Sequence, residues 1–280
     1  MSKVEVLVAS VNTNPIDLYK RMNLNSNTVI ANQTNYNAID SYSINNNRVK
    51  VISTTTRGVG INRNLGLLFS DSKYILFADD DNVYINNYAD IVVQAFDNLP
   101  KADVIVFQLK YIKQNKIISE DNYKIKRRHL WNSLSFGAPK IAIRTSALKK
   151  RNISFSTLFG GGSLYGSGED SIFICDCLKN KLKVYTYNKT IAENICDSSS
   201  WFSGFNEKYF FDKGAFIASS FGWFMKHLLV LYFVFRFINI KEISSIKKFK
   251  LLYSGLRAYS HCITYSEWLQ LTNVGNKNEK

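Results

Sequence analysis

Three consecutive carboxylates, Asp79, Asp80 and Asp81, follow the short apolar run Tyr74-Ile75-Leu76-Phe77-Ala78. The run has the length and residue types of a buried strand. Open α/β sheets bind ligands at the C-terminal ends of their strands, so the triplet stands where a ligand is expected. Side chains alternate along a strand, which puts Asp79 and Asp81 on one side and Asp80 on the other. Two carboxylates on one side repel each other unless a cation lies between them. Oxygen-only ligands suit a hard divalent ion, Mg²⁺ or Mn²⁺, shared with substrate phosphates. The plain alternative is a solvated acidic turn capping the next helix.

Two other segments bear on the same chemistry. Upstream, Gly58 to Leu68 reads as a helix with Arg63 one turn in, where it can pair with a diphosphate or with Asp79. Arg57, just before it, reads as a solvated loop charge. Downstream, Gly168-Glu169-Asp170 opens a helix that runs to Lys179. Acidic residues in a first helical turn are ordinary dipole partners, and that is the plain reading of this pair.

Taken together, Gly58…Arg63-Asn64-Leu65-Gly66, Asp79-Asp80-Asp81 and Glu169-Asp170 resemble, in that order, the motifs of a family 2 glycosyltransferase of the GT-A fold. The resemblance spans roughly residues 3–195. It implies an inverting transfer from a nucleotide sugar, most simply a UDP-sugar. The acceptor would be a glycan or a polyprenyl-diphosphate-linked sugar in bacterial surface-polysaccharide assembly. Asp79 and Asp81 would organise the metal–diphosphate, with Asp80 beside them. Asp170 would take the acceptor proton as general base, and Glu169 would orient the acceptor or the base. Ser10, Asn12 and Asn32 match family positions that hold the nucleoside, as does Gln33. The family usually has an acid where this chain has Asn32, but an amide can serve both edges of a uracil. Glu193 stands near the place of a further metal ligand that is commonly His.

The surrounding elements fit such a site. Strands are expected at Val4–Ser10, Asn27–Asn32, Val49–Ser53, Tyr74–Ala78, Ala102–Phe107, Lys140–Arg144 and Lys183–Tyr187. Helices alternate with them, at Ile16–Met22, Gly58–Leu68, Asn86–Leu99, Thr145–Lys150 and Glu169–Lys179. Alternation of this kind predicts right-handed crossovers and a mostly parallel sheet. No GxGxxG follows the first strand, which argues against a dinucleotide. Lys110–Arg128 reads as a small hairpin and a mobile loop. Phe159-Gly160-Gly161-Gly162-Ser163 reads as a loop, flexible or tightly folded, able to close over donor and acceptor.

The catalytic domain is therefore placed at residues 1–200, with a nucleotide-sugar half at 1–100 and an acceptor half at 101–200. Residues 201–280 form an aromatic, basic, helical appendix. The 280 residues suffice for this plan. A hydrophobic content of 46% and charged content of 21% are those of a globular protein. Cys175, Cys177, Cys196 and Cys262 form no CxxC pair, which reads as reduced thiols in a cytosolic protein. The net charge of +14 asks for an anionic partner. Nucleic acid is not expected, because no helix-turn-helix, zinc-finger or RNA-recognition signature occurs.

The appendix points instead to a membrane surface. Phe221–Ile238 is strongly apolar but interrupted by Lys226, His227 and Arg236, so it is too short to span a bilayer. Lys241, Lys247, Lys248 and Lys250 follow, interleaved with apolar residues, and would meet anionic lipid. The alternative is a core helix. Residues 273–280 are expected to fray. Two rival functions remain: a nucleotidyltransferase, and a non-catalytic basic binder of membranes or nucleic acid.

Overall fold

The computed structural model describes residues 3–196 and 204–278. Part of the aromatic run beyond Asp197, including Trp201 and Phe202, lies outside them. The strands are β1 (Val4–Val11), β2 (Asn27–Gln33), β3 (Ala38–Ile44), β4 (Asn47–Thr54), β5 (Tyr74–Asp79), β6 (Asn82–Tyr84), β7 (Val104–Lys113), β8 (Lys116–Glu120), β9 (Lys126–Arg127), β10 (Ile141–Arg144) and β11 (Val184–Ile195). The helices are α1 (Pro15–Arg21), α2 (Val59–Phe69), α3 (Tyr88–Asn98), α4 (Thr145–Arg151), α5 (Glu169–Lys179), α6 (Glu207–Ser220), α7 (Trp223–Arg236), α8 (Ser245–Ala258) and α9 (Tyr265–Asn278).

One sheet runs in the order β3-β4-β2-β1-β5-β10-β7-β11-β6, with β8 on β7 and β9 on β11. The inner set β4-β2-β1-β5 is parallel. From β10 outward the sheet is mixed, because β10 runs antiparallel to both β5 and β7. The expectation of a mostly parallel sheet thus holds for the N-terminal half. Parallel strands need long crossovers, and the chain supplies these only there and between β7 and β11.

Three departures from the sequence reading have simple causes. β3 was not anticipated, because Ala38–Ile44 is almost wholly exposed and carries little apolar signal. It forms an edge hairpin with β4 through Asn45 and Asn46, both at positive φ, the hallmark of a tight hairpin turn. The expected hairpin after Lys110 is β7–β8, turning at Gln114 and Asn115, again both at positive φ. Residues beyond Asn273 continue α9 to Asn278 rather than leaving the helix.

Both faces of the sheet are covered by apolar residues. α1 and α3 cover one face through Leu18, Tyr19, Val92 and Phe96. The other face packs Leu7, Phe77 and Val106 against Phe155 and Phe173, and Cys177 of α5 lies buried and unpaired in that layer. The helices after residue 204 do not stand apart. Phe210, Phe211, Phe216 and Leu252 share a core with Phe159, Tyr165 and Ile172, which flank the glycine loop and α5. α6 and α8 cross in backbone contact at Gly214 and Gly255. A Cβ on Gly214 would lie 2.0 Å from the Leu252 oxygen, and one on Gly255 would lie 1.9 Å from the Phe211 oxygen.

Candidate active site

A cleft of about 910 Å³ opens at the C-terminal ends of the parallel strands. β5 ends at Asp79, and Asp80 and Asp81 form the turn into β6. Strand alternation stops with the strand, so all three carboxylates line the cleft instead of dividing between two faces. Asn82 holds the turn: its Oδ1 accepts from the Asp79 N–H at 3.2 Å.

Arg63 is the hub of the site. Its side chain is 2% exposed and projects from α2 into the space between two motifs. Nη2 donates to Asp79 Oδ1 at 2.7 Å, and Nη1 donates to Asp170 Oδ1 at 2.7 Å. Nη1 also reaches Glu169 Oε1 at 3.4 Å. The guanidinium carbon lies 5.1 Å from the Phe155 ring centre, and Phe155 stacks on Phe173 of α5. A planar fork is the side chain that can bridge carboxylates from two elements at once. Three acids around one buried guanidinium hold it firmly protonated despite its burial. The helix start, the acidic triplet and the Glu-Asp pair, far apart in sequence, therefore meet at this one residue.

The two members of the pair differ in placement. Glu169 lines the cleft. Asp170 has both oxygens engaged, Oδ1 by Arg63 and Oδ2 by the Ala138 N–H at 2.9 Å, yet its side chain keeps 22% exposure. Burial raises the proton affinity of both, with the Asp170 charge adding to the rise on Glu169 and Arg63 opposing it on each.

The glycine loop is tightly folded rather than slack. The Val59 N–H donates to the Gly161 oxygen, and the Gly160 N–H to the Tyr165 oxygen. Gly160 has φ +103°, and a Cβ there would lie 2.5 Å from Val59 Cγ1 and 2.8 Å from Glu169 Cδ. Gly160→Ala is therefore expected to cost about 1–2 kcal/mol of stability from the backbone alone. It should also displace Glu169 and lower activity. Urea unfolding and turnover of the same variant check both; unchanged values would mean that the loop yields freely.

The remaining anticipated residues separate. Ser10 and Gln33 line the cleft. Asn32 does not offer its amide to a ligand. Its Oδ1 accepts from Ser10 Oγ and the Thr13 N–H, and its Nδ2 donates to the Thr13 oxygen. It ties β2 to the loop after β1, so the pairing capacity expected of it for a base is used inside the protein. Asn12 sits at φ +50° on that loop, exposed, and is not part of the cleft wall. Glu193 is also off the wall, while its neighbour Asn194 is on it. β11 pairs Asn194 with Asn82, and the Asn194 side chain bonds Asp81. Glu193 stands just short of the stretch Asn194, Ile195 and Cys196 that lines the cleft. Arg57 is a clamp, not a free charge: Nη1 donates to the oxygens of Thr34, Thr55 and Thr56.

Several participants carried no sequence signal. Asn62 donates to the Ser10 and Ala31 oxygens from within α2. Arg21, at the end of α1, donates to the Asp80 backbone oxygen at 3.1 Å. Asp212 of α6 accepts from the Gly166 N–H at 2.8 Å and pairs with Lys208, and both line the cleft. Long-range packing alone brings α6 here.

The wall is short of partners in a way that suits a polar, cation-bearing ligand. Thr13 Oγ1, Asn62 Oδ1, Arg63 Nε, Asn82 Nδ2 and Asp212 Oδ1 are buried without a hydrogen-bond partner. Such atoms are rare in native proteins, and these five belong to residues of one cleft. Burial, with the Asp79 charge, pushes Asp81 up to about 6 and raises Asp80. Asp79 is paired with Arg63, while Asp80 and Asp81 offer carboxylate oxygens of the kind that suits Mg²⁺ or Mn²⁺. Among the described residues no three acidic, His or Cys side chains form a full metal cage. Sites that share the ion with substrate phosphates need only one or two carboxylates.

Comparison with known proteins decides the class. Residues 34–153 match the family described as Glycosyl transferase family 2. The chain carries a glycosyltransferase family 2 segment. The matched segment includes Arg63 and the acidic triplet. Among solved structures it is similar to S. aureus TarS residues 1–349 in complex with UDP-GlcNAc, at 17% identity and a TM-score of 0.57. That alignment covers 92% of this chain and 72% of the TarS chain. TarS 1–349 in complex with UDP gives 16% identity, a TM-score of 0.56, and coverage of 96% and 77%. At such identities the likeness establishes the GT-A-type fold. No curated protein gives a significant match.

Proposed function

We propose that this glycosyltransferase moves a sugar from a UDP-sugar to a hydroxyl of a glycan or lipid-linked acceptor, with inversion at the anomeric carbon. The observation that carries the reading is the convergence of Asp79, Glu169 and Asp170 on Arg63 at the cleft floor. The TarS structures similar in fold hold UDP-GlcNAc and UDP, which supports a uridine diphosphate donor. Ser10, Asn62 and Gln33 would face the nucleoside. Asp79, Asp80 and Asp81 would hold Mg²⁺ or Mn²⁺, which when bound neutralises the leaving diphosphate as a Lewis acid. Asp170 would accept the proton of the attacking hydroxyl. Its burial raises its proton affinity, the direction a general base needs. Arg63 and the Ala138 N–H fix its orientation. Glu169, in the cleft beside it, would position the acceptor.

Calorimetric titration with UDP tests the donor site. Binding is expected with Mn²⁺ and not without it, and Asp81→Ala should weaken it at least about tenfold while the fold is retained. Protons compete for a carboxylate raised to about 6. Asp81 is ionised above that pH and neutral below it, so affinity should be full near pH 7.5 and fall as pH drops through 6. Equal affinity of the Ala variant, or a flat pH profile, would remove Asp81 from the site.

A further inference from the structure

We infer that α7 is an interfacial helix that seats this enzyme on an anionic lipid bilayer. This goes beyond the transfer reaction and does not depend on it. The outward stripe of α7 and its C-terminal extension is Phe224, Leu228, Leu231, Phe235 and Ile238, at alternating spacings of four and three. That spacing keeps every member on one helical face. All five are exposed, Phe224 at 66% and Phe235 at 68%. Only Leu229 and Val230 of this helix are fully buried. A core helix would show the reverse, and contiguous exposed apolar faces of this kind mark interaction surfaces. Ile246 of α8 is also exposed, at 72%.

The rim of the face selects the partner. Between Trp223 and Arg257 there are seven Lys or Arg residues and one acid, Glu242. Two lysines that the sequence pattern assigned to lipid have other duties. Lys248 is buried and donates to the Phe237 and Ile240 oxygens, closing the end of α7. Lys247 pairs with Glu207. The exposed cations that remain are Arg236, Lys241, Lys250 and Arg257. An apolar stripe with a basic rim matches acyl chains beneath anionic headgroups. A second copy of the chain would bring two basic rims together, each on a molecule of net charge +14. Trp223, exposed at 74%, stands edge-on to His227, and His227 faces Tyr253, which stacks on Phe249. Such rings favour the headgroup level. Fourteen residues measure about 21 Å as a helix, shorter than a hydrocarbon core of about 30 Å. Among the described residues no helix is long and apolar enough to cross a membrane. The helix therefore lies along the surface.

Co-sedimentation of the full chain with vesicles tests this. With vesicles rich in phosphatidylglycerol the protein should pellet at low salt, pellet less at high salt, and show a blue shift of Trp emission. With pure phosphatidylcholine vesicles it should stay mainly in the supernatant. The combined variant Phe224→Gln, Leu231→Gln, Phe235→Gln should bind at least about tenfold more weakly, since apolar insertion is lost. These side chains are already in water, so its thermal midpoint should match wild type. Arg236→Gln, Lys241→Gln and Lys250→Gln together should weaken binding and flatten its salt dependence. The inference fails if wild type stays in the supernatant with phosphatidylglycerol at low salt, or if the apolar variant binds as wild type does. It also fails if wild type is a dimer that the apolar variant dissolves while neither binds vesicles. Transfer to a soluble acceptor by the apolar variant separates this result from the catalytic reading.

Discussion

Asp170→Asn is expected to slow sugar transfer by about 10²–10⁴-fold, the usual effect of removing a general base. UDP affinity should stay near wild type, because Asp170 touches Arg63 and Ala138 and not the acidic triplet. The variant should be slightly less stable. Asp170 accepts two hydrogen bonds on two oxygens, and an amide has one oxygen for both. One contact is lost, at about 1 kcal/mol. Single-turnover rates with a saturating acceptor, set beside UDP calorimetry, separate chemistry from binding. Glu169→Gln is the control. Glu169 lines the cleft and its bond to Arg63 is long, so its loss should act mainly on acceptor KM. If Asp170→Asn turns over normally and Glu169→Gln does not, the two roles are exchanged.

Arg63→Ala should be the most damaging single change to the fold. It removes a cation that is 2% exposed and leaves Asp79, Glu169 and Asp170 facing one another. Breaking a buried ion pair from one side costs about 3–5 kcal/mol, because the remaining charges are buried without compensation. In urea this should read as a clear fall in the unfolding midpoint. The defect should depend on pH in a definite direction. Without the guanidinium the three carboxylates repel, and each proton they take up relieves the repulsion. The gap to wild type should thus be widest near pH 8 and shrink toward pH 5. Arg63→Lys keeps the charge and loses the fork, so an intermediate loss is expected. A midpoint equal to wild type at pH 8 would show that the network contributes nothing to stability.

The two predictions draw on one cluster, and its members were readable to different degrees in the amino-acid sequence. Asp79–Asp81, Arg63 and Glu169–Asp170 declared themselves, because carboxylates at a strand end and charges at helix starts are local patterns with local causes. The parallel strands β1, β2, β4 and β5 were equally legible as apolar runs between turn residues. Partner choice was another matter. Whether Arg63 served a phosphate, Asp79 or both was open in the sequence. Only the packing that brings α2 and α5 beside one cleft made it the bond between two motifs.

Local identity also misjudged residues whose role depends on direction. Asn32 and Asn194 are both amides near strand ends. One turns inward to Ser10 and Thr13, and the other borders the cleft and meets Asp81. Glu193 has the better chemistry for a metal but lies off the cleft wall. A single residue of register moves a side chain to the other face of a strand, and register is set by pairing across the sheet. The tail repeats the point. Its composition announced an apolar, basic helical region. Lys248 and Phe235 could have exchanged places in any reading of hydropathy, since one ought to be wet and the other dry. The crossing of α6 and α8 at Gly214 and Gly255 settled α8 with Lys248 inward, and α7 packed beside it with Phe235 outward. Residue types and their spacing determined what chemistry this chain can do and which elements carry it. Tertiary structure decided which side chains meet, because contact depends on register and packing between segments that no local pattern encodes.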